Sequence, residues 1–262
     1  MNQKNFDYLK DQIKYSGFGE GLESQLKENM QKQAPEFTLH HQNTFGKDET
    51  SSALHFKKSP SSDMYFFNSY QVSVKKQDQT EKISQSFYIE KNNSITLKEA
   101  FNLMHGRAVN KDLTNKEGQS YNAWVQLDYK NTDQAGSYKL KQFHQNYGFE
   151  IEKALAKLPI KELGNQQDKT RLVESLQKGN RQSVTFIENG TEQKRLIEAN
   201  PQFKSITVYD GNEKRIRQQL SEKQAEKQTL SQKKGQQVTQ QPDENDQSSV
   251  KAGKRKGLSV SQ

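Results

Sequence analysis

Apolar positions in this chain switch between two periods. Phe6, Leu9 and Ile13 stand at i, i+3 and i+7 and make one stripe of a short helix. Leu22, Leu26 and Met30 carry a second helix over residues 20–32, which Pro35 stops. Gly17, Gly19 and Gly21 lie between them. A dinucleotide-binding loop needs a preceding strand, and here a helix precedes, so these glycines read as an inter-helix turn. The period then becomes two. Phe37, Leu39, His41, Asn43 and Phe45 share one face, and Leu54 and Phe56 continue it across a polar link that predicts a hairpin. Met64, Phe66, Tyr70, Val72 and Val74 fall on one side of the next run, which leaves Tyr65 and Phe67 on the outside. Ile83, Phe87 and Ile89 follow. Four strands with short polar loops predict an antiparallel meander.

Thr96 opens another helix, and Glu99 three residues on completes a capping box that satisfies two orphan backbone donors. Leu97, Phe101 and Met104 face inward, and Gly106 is the left-handed stop. A strand follows in which Tyr121, Ala123, Val125, Leu127 and Tyr129 alternate with Asn122, Trp124, Gln126 and Asp128. Its partner begins at Tyr138. A third helix over 151–158 precedes Pro159, and a fourth starting at Asp168 ends at Gly179. Asn189-Gly190 predicts a two-residue hairpin turn, and residues 203–209 give the last strand. The plan of 96–147 thus returns in a weaker copy over 168–210. The expected fold class is α+β: short helices packed on antiparallel sheets, a repeated helix-plus-β-hairpin unit and a disordered C-terminal tail. The expected segments are 1–94, 95–158, 159–211 and 212–262.

Composition thins this picture. Only 30% of the 262 residues are hydrophobic, so the cores should be thin, with sheets facing water on one side. There is no cysteine, hence no disulfide framework and no thiolate metal site. No signal peptide and no apolar run of membrane-spanning length is seen, and a cytoplasmic protein is expected. The net charge is +8. Residues 213–262 carry 11 Lys/Arg against 6 Asp/Glu, and the preceding 212 carry 29 against 26. The body is nearly neutral, which weakens any reading of it as a strongly basic platform.

Catalytic constellations do not stand out. None of the five histidines has zinc-helix spacing with a Glu base, and there is no nucleophile elbow or Walker loop. No enzyme activity, cofactor or metal is expected. His41, on an apolar strand face, reads as a buried histidine. The better signal is the set of cations near each glycine and the aromatics among them: Arg107, Lys111, Trp124, Lys139, Lys141, Tyr147 and Arg181. Rings and cations interleaved on a sheet face stack bases and hold phosphates of single-stranded nucleic acid. The competing reading packs Trp124 under a helix and leaves the cations as solubilising charges. Lys254, Arg255 and Lys256 in the tail add sequence-blind phosphate contact or simple solubility.

At GRAVNKDLTNKEGQSYNAWVQLD, again at LQKGNRQSVTFIENGTEQKRLIEANPQFKSITVYD, and in the opening MNQKNFDYLKDQIKYSGFGEGL, the chain resembles a family of uncharacterised proteins, a domain of unknown function, carried by conjugative transposons of Bacteroides-type bacteria. The resemblance covers about residues 1–210. It brings no catalytic residues, and it implies the company of transfer proteins on mobile DNA. The expected function is a non-enzymatic accessory protein of a mobile element that binds single-stranded DNA weakly. The alternative is an adaptor that docks a transfer protein on sheet edges and exposed aromatics such as Tyr65 and Phe67.

Overall fold

The structure, a computed structural model, describes residues 1–75 and 81–216; residues 217–262 of the expected disordered tail, with Lys254, Arg255 and Lys256, lie outside them, while residues 212–216 are described and end in a short strand. Five α-helices pack on three antiparallel sheets, so the α+β class holds. Helices α1 (Gln3–Ile13) and α2 (Glu23–Gln31) precede β1 (Glu36–Phe45), β2 (Asp48–Lys58), β3 (Tyr65–Lys75) and β4 (Lys82–Tyr88), which pair in chain order. Helix α3 (Leu97–Met104) leads into β5 (Val109–Thr114), β6 (Ser120–Thr132) and β7 (Tyr138–His144). Helices α4 (Ile151–Leu155) and α5 (Gln166–Gln177) lead into β8 (Gln182–Glu188), β9 (Thr191–Asn200), β10 (Ser205–Tyr209) and β11 (Arg215–Ile216). A helix followed by a meander therefore occurs in each segment.

Strand β3 departs from simple alternation. Phe56 pairs with Phe67 but His55 pairs with Ser69, so Asn68 is an extra residue in β3. A bulge of one residue reverses the facing of everything on one side of it. Tyr70, Val72 and Val74 point into the core as expected, while Tyr65 and Phe67, not Met64 and Phe66, join them there. Tyr65 is fully buried and Phe66 is 50% exposed. The expectation of Tyr65 and Phe67 as exposed docking aromatics is thus reversed by the bulge.

The apolar residues gather in two cores. The first unites α1, α2 and α3 with the inner face of the β1–β4 sheet and with Ala123, Val125 and Leu127 of β6. The second holds Ala108 and Trp124 together with α4, α5 and the inner face of the β8–β11 sheet. The described residues fall in one compact unit, and β6 contributes to both cores, so the expected divisions near 94 and 158 do not separate independent cores. The expectation of sheets wet on one face fits the first sheet and fails for the middle one.

The two helix-plus-hairpin units meet through their helix stops. Gly106 has φ +76°, and the amides of Gly106 and Arg107 bond back to the Leu103 and Asn102 carbonyls. Gly179 has φ +78°, and the amides of Gly179 and Asn180 bond back to the Leu176 and Ser175 carbonyls. Both are paired left-handed caps with the same register. The buried Asn102 amide of α3 then donates across to the Lys178 carbonyl at 2.7 Å and to Asn180 Oδ1 at 3.1 Å. A Cβ on Gly179 would stand 2.9 Å from both the Ala108 oxygen and Val109 Cγ2, whereas one on Gly106 would meet only Tyr129 at 3.9 Å. Gly106→Ala is expected to lose about 1–2 kcal/mol, the left-handed penalty alone. Gly179→Ala adds overpacking against backbone and should lose about 2–5 kcal/mol in total. Urea melts of the two variants check the ranking; equal losses would mean that the close approach at Gly179 is relieved without cost.

Candidate functional site

The expected nucleic-acid face is not assembled. Trp124 lies on the face of β6 opposite Val125, but the second core covers that face, and Trp124 is 6% exposed. Its ring meets Phe149 edge-on, with centroids 5.3 Å apart. A ring held there cannot stack a base, so the expectation of an exposed Trp124 is corrected and the packed reading holds. The surrounding cations are mostly committed within the protein. Lys111 Nζ sits 2.7 Å from Glu99, the carboxylate of the capping box. Lys141 Nζ sits 2.9 Å from Asp128. Arg181 binds Glu198 through Nε and Glu213 through a terminal nitrogen, both at 2.6 Å, and lies over Tyr209. Tyr147 donates its hydroxyl to the Gln202 carbonyl at 2.8 Å, with Lys204 over its ring. Lys139 is exposed opposite Asp128 on β7, whereas Lys111 lies on β5, so the two stand on opposite sides of β6. Arg107 rests on Phe101, its guanidinium carbon 5.4 Å from the ring centre.

The sheet edges differ sharply from one another. A strand edge presents unpaired N–H and C=O groups, and proteins cover such edges or break them. The edge of β4 is met by the β6–β7 hairpin: Gln85 accepts from the Tyr138 amide at 2.8 Å and donates to its carbonyl at 3.1 Å, while Ser137 Oγ accepts from the Ser86 amide. Residues Pro159 and Ile160 cover β8, with the Ile187 amide donating to the Pro159 carbonyl at 2.8 Å. On β5, the Asn93 carboxamide takes both backbone groups of Thr114.

Strand β1 has no such cover among the described residues. The Lys58 amide donates to the Pro35 carbonyl, and the register runs from there to Phe45 opposite Asp48. Hydrogen-bonded pairs alternate in an antiparallel ladder. The odd residues Phe37 to Phe45 therefore bond to β2, and the even residues Glu36, Thr38, His40, Gln42 and Thr44 aim their backbone groups at the free edge. Their side chains stand on the outer sheet face. There the register aligns His40–Ala53–Gln71–Ser86 and Gln42–Ser51–Ser73–Ser84, two rows of small or uncharged polar groups. Within ten residues β1 has no Pro, no Lys and no bulge. On the inner side Phe37 and Phe45 are only partly buried. His41 lies between them with its ring edge-on to Phe18; burial holds its pKa below the usual histidine value and favours the neutral ring.

Two depressions mark the surface. One, of about 590 Å³, is lined by Leu158, Pro159, Ile160, Leu163 and Ile187, with Glu152 and Lys169 paired at its rim. The other, of about 340 Å³, lies on the polar outer face beside Gln42, Ser51, Ser73 and Lys82. Among the described residues no group of His, Asp and Glu is placed to hold a metal, and no helix is long and apolar enough to cross a membrane. The open edge of β1 was only half visible in the sequence, because alternation marks a strand without saying whether its outer side is covered.

Trp124 is the sole tryptophan, so fluorescence reads its surroundings directly. Its emission should be blue-shifted and unquenched by added single-stranded DNA, and Trp124→Ala should cost about 3–5 kcal/mol. Water-exposed emission would overturn the packing. Asp128 accepts from Lys141, Asn131 and the Lys130 amide where β6 leaves its register with β7, and these donors hold its pKa at about 2. A carboxylate with a depressed folded pKa stabilises the fold above its unfolded value near about 4, and the benefit fades as pH falls toward the folded value. Lys141→Gln should raise the Asp128 midpoint in a carboxyl NMR titration. A scan against protein-family models, a search of curated proteins and a search of solved structures each give no match for this chain.

Proposed function

We propose that this chain is a non-enzymatic adaptor, an accessory protein of a mobile genetic element, that holds an extended segment of a transfer protein against the edge of β1. What supports this reading is the contrast between that edge and those of β4, β5 and β8, each of which carries a cover, while the five outward-facing residues of β1 include no gatekeeping Lys or Pro. Strand addition takes its affinity from main-chain hydrogen bonds and its selectivity from alternate side chains. A segment laid on β1 would set one row of side chains beside the half-covered Phe37 and Phe45 and the other beside Thr38, His40 and Gln42. The fitting partner sequence alternates apolar with small or uncharged polar residues. The mobile-element context comes from the family resemblance and is part of the same proposal. Weak nucleic-acid binding keeps Lys254, Arg255 and Lys256 as its support, while the sheet face offers it no stacking ring at Trp124.

The edge geometry supplies its own test. His40 points its amide outward, so proline there removes a donor the fold does not use and obstructs an incoming strand. Peptides selected from a random extended-peptide library on the wild-type chain should bind His40→Pro at least tenfold more weakly. The amides of Thr38, His40, Gln42 and Thr44 should gain hydrogen-exchange protection in the complex. A thermal melt near the wild-type value establishes that the variant is folded. Peptides that bind His40→Pro equally well would overturn the reading. So would a wild-type dimer that dissociates in His40→Pro, since the occupant of the edge would then be a second copy.

A further inference from the structure

Helix α3 carries a second feature that does not depend on the β1 edge. Phe101 is a shared platform for two cations. Lys98 Nζ lies 4.8 Å from its ring centre and 4.4 Å from that of Phe45. Arg107, just past the helix stop, lies over the same Phe101 ring at 5.4 Å. No carboxylate among the described residues lies within ion-pair distance of either cation, and the Arg107 Nε is enclosed without an acceptor. The acids nearby are engaged elsewhere. Asp48 accepts from His105 at 2.8 Å, and Glu198 is shared by Arg181 and the Tyr209 hydroxyl. Arg181, two residues past the second helix stop, makes the contrast plain: it has two carboxylates. Burial holds Arg107 and Lys98 below their usual pKa values, and Arg107 depresses Lys98 further. Arg107 is largely withdrawn from water while Glu198 and Asp48, the carboxylates that act on it, stay beyond ion-pair distance and bind other partners, and the deficit this leaves is one an anion would fill.

We propose that Lys98 and Arg107 form an oxyanion-binding notch beside Phe45 and Phe101 whose ligand is a phosphate dianion, free or as a monoester. The charge of such a group matches two cations, whereas a carboxylate would leave one unbalanced. Guanidinium supplies directional donors for phosphate oxygens, and lysine adds a point charge on a flexible stem. Lys98 is exposed, so the notch is open to solvent from its side.

The test follows the Arg107 Nε–Hε resonance at constant ionic strength while inorganic phosphate, adenosine monophosphate or acetate is added to the full chain. Phosphate should give a saturable shift. Adenosine monophosphate binding as tightly identifies a monoester source, and much weaker binding identifies the free ion. Acetate should bind at least tenfold more weakly than phosphate. Calorimetry should show phosphate affinity falling at least tenfold in Lys98→Gln and in Arg107→Gln, and being unchanged in Lys139→Gln, an exposed lysine elsewhere. Both variants alter surface-reaching groups, and dispersed amide spectra check that they fold. Should Arg107→Gln unfold, Lys98→Gln alone decides. A linear shift reproduced by chloride, an unchanged affinity in Lys98→Gln, or an equal loss in Lys139→Gln would each overturn the notch.

Discussion

The backbone of Gly179 lies so close to Ala108 and Val109 that a side chain has no room between them, and much of the fold follows from that approach. Glycine is needed at Gly106 and Gly179 alike for the left-handed turn that stops a helix, but only at Gly179 is the missing Cβ also a packing requirement. The gap it leaves is filled by the first unit. Asn102 spends its two amide hydrogens on the end of α5, so one helix stop is stitched to the next by a buried side chain. A repeated sequence plan thereby becomes one connected body.

That joint brings the second unit over the far face of β6. A strand with one buried face would read as clean alternation. Here Ala123, Trp124 and Val125 are buried consecutively, the odd pair in one core and the tryptophan in the other. A chain with few apolar residues uses the two faces of one strand to complete two cores, each of which also rests on a sheet of its own. The polar residues left on β5 and β6 are reconciled by pairing: Asn110 and Asn122 exchange amide hydrogen bonds at 2.7 and 3.0 Å across the strands. Burial here tolerates carboxamides because each finds a partner.

Local signals were read well from residues alone. Thr96 and Glu99 form their capping box, Asn189 and Gly190 adopt the positive φ values of a tight turn, and both helix stops fall at their glycines. These depend on chemistry within four residues. Trp124 was left between two readings because its environment comes from residues distant in the chain, and alternation cannot report what lies across a face. Tyr65 and Phe67 were misplaced for a smaller reason: one extra residue at Asn68 shifts the parity, and no Gly or Pro announces it. The cations Lys111, Lys141 and Arg181 looked available in sequence since their carboxylates come from other turns and strands.

Carboxamides also explain why one edge stands apart. Asn5, Gln85 and Asn93 each donate to a backbone carbonyl and accept from the amide of the same residue, at Tyr65, Tyr138 and Thr114. Each clasp imitates the hydrogen bonds of one more strand residue, using a side chain that adds no charge. A fold that closes its loose backbone in this way three times has a ready means of closing β1, and Gln42 and Asn43 lie on that strand itself. Neither closes the edge with such a clasp: Asn43 Oδ1 accepts from the outward Thr44 amide alone, at the far end of the strand, and Gln42 stands on the exposed polar face. Past Glu36 at its start, the open edge presents Thr38, His40, Gln42 and Thr44, and so sets no lysine or arginine of its own in the way of an approaching chain. The outer face that covers a sparse core thus ends in a strand whose outward main-chain groups are left unpaired by the described residues.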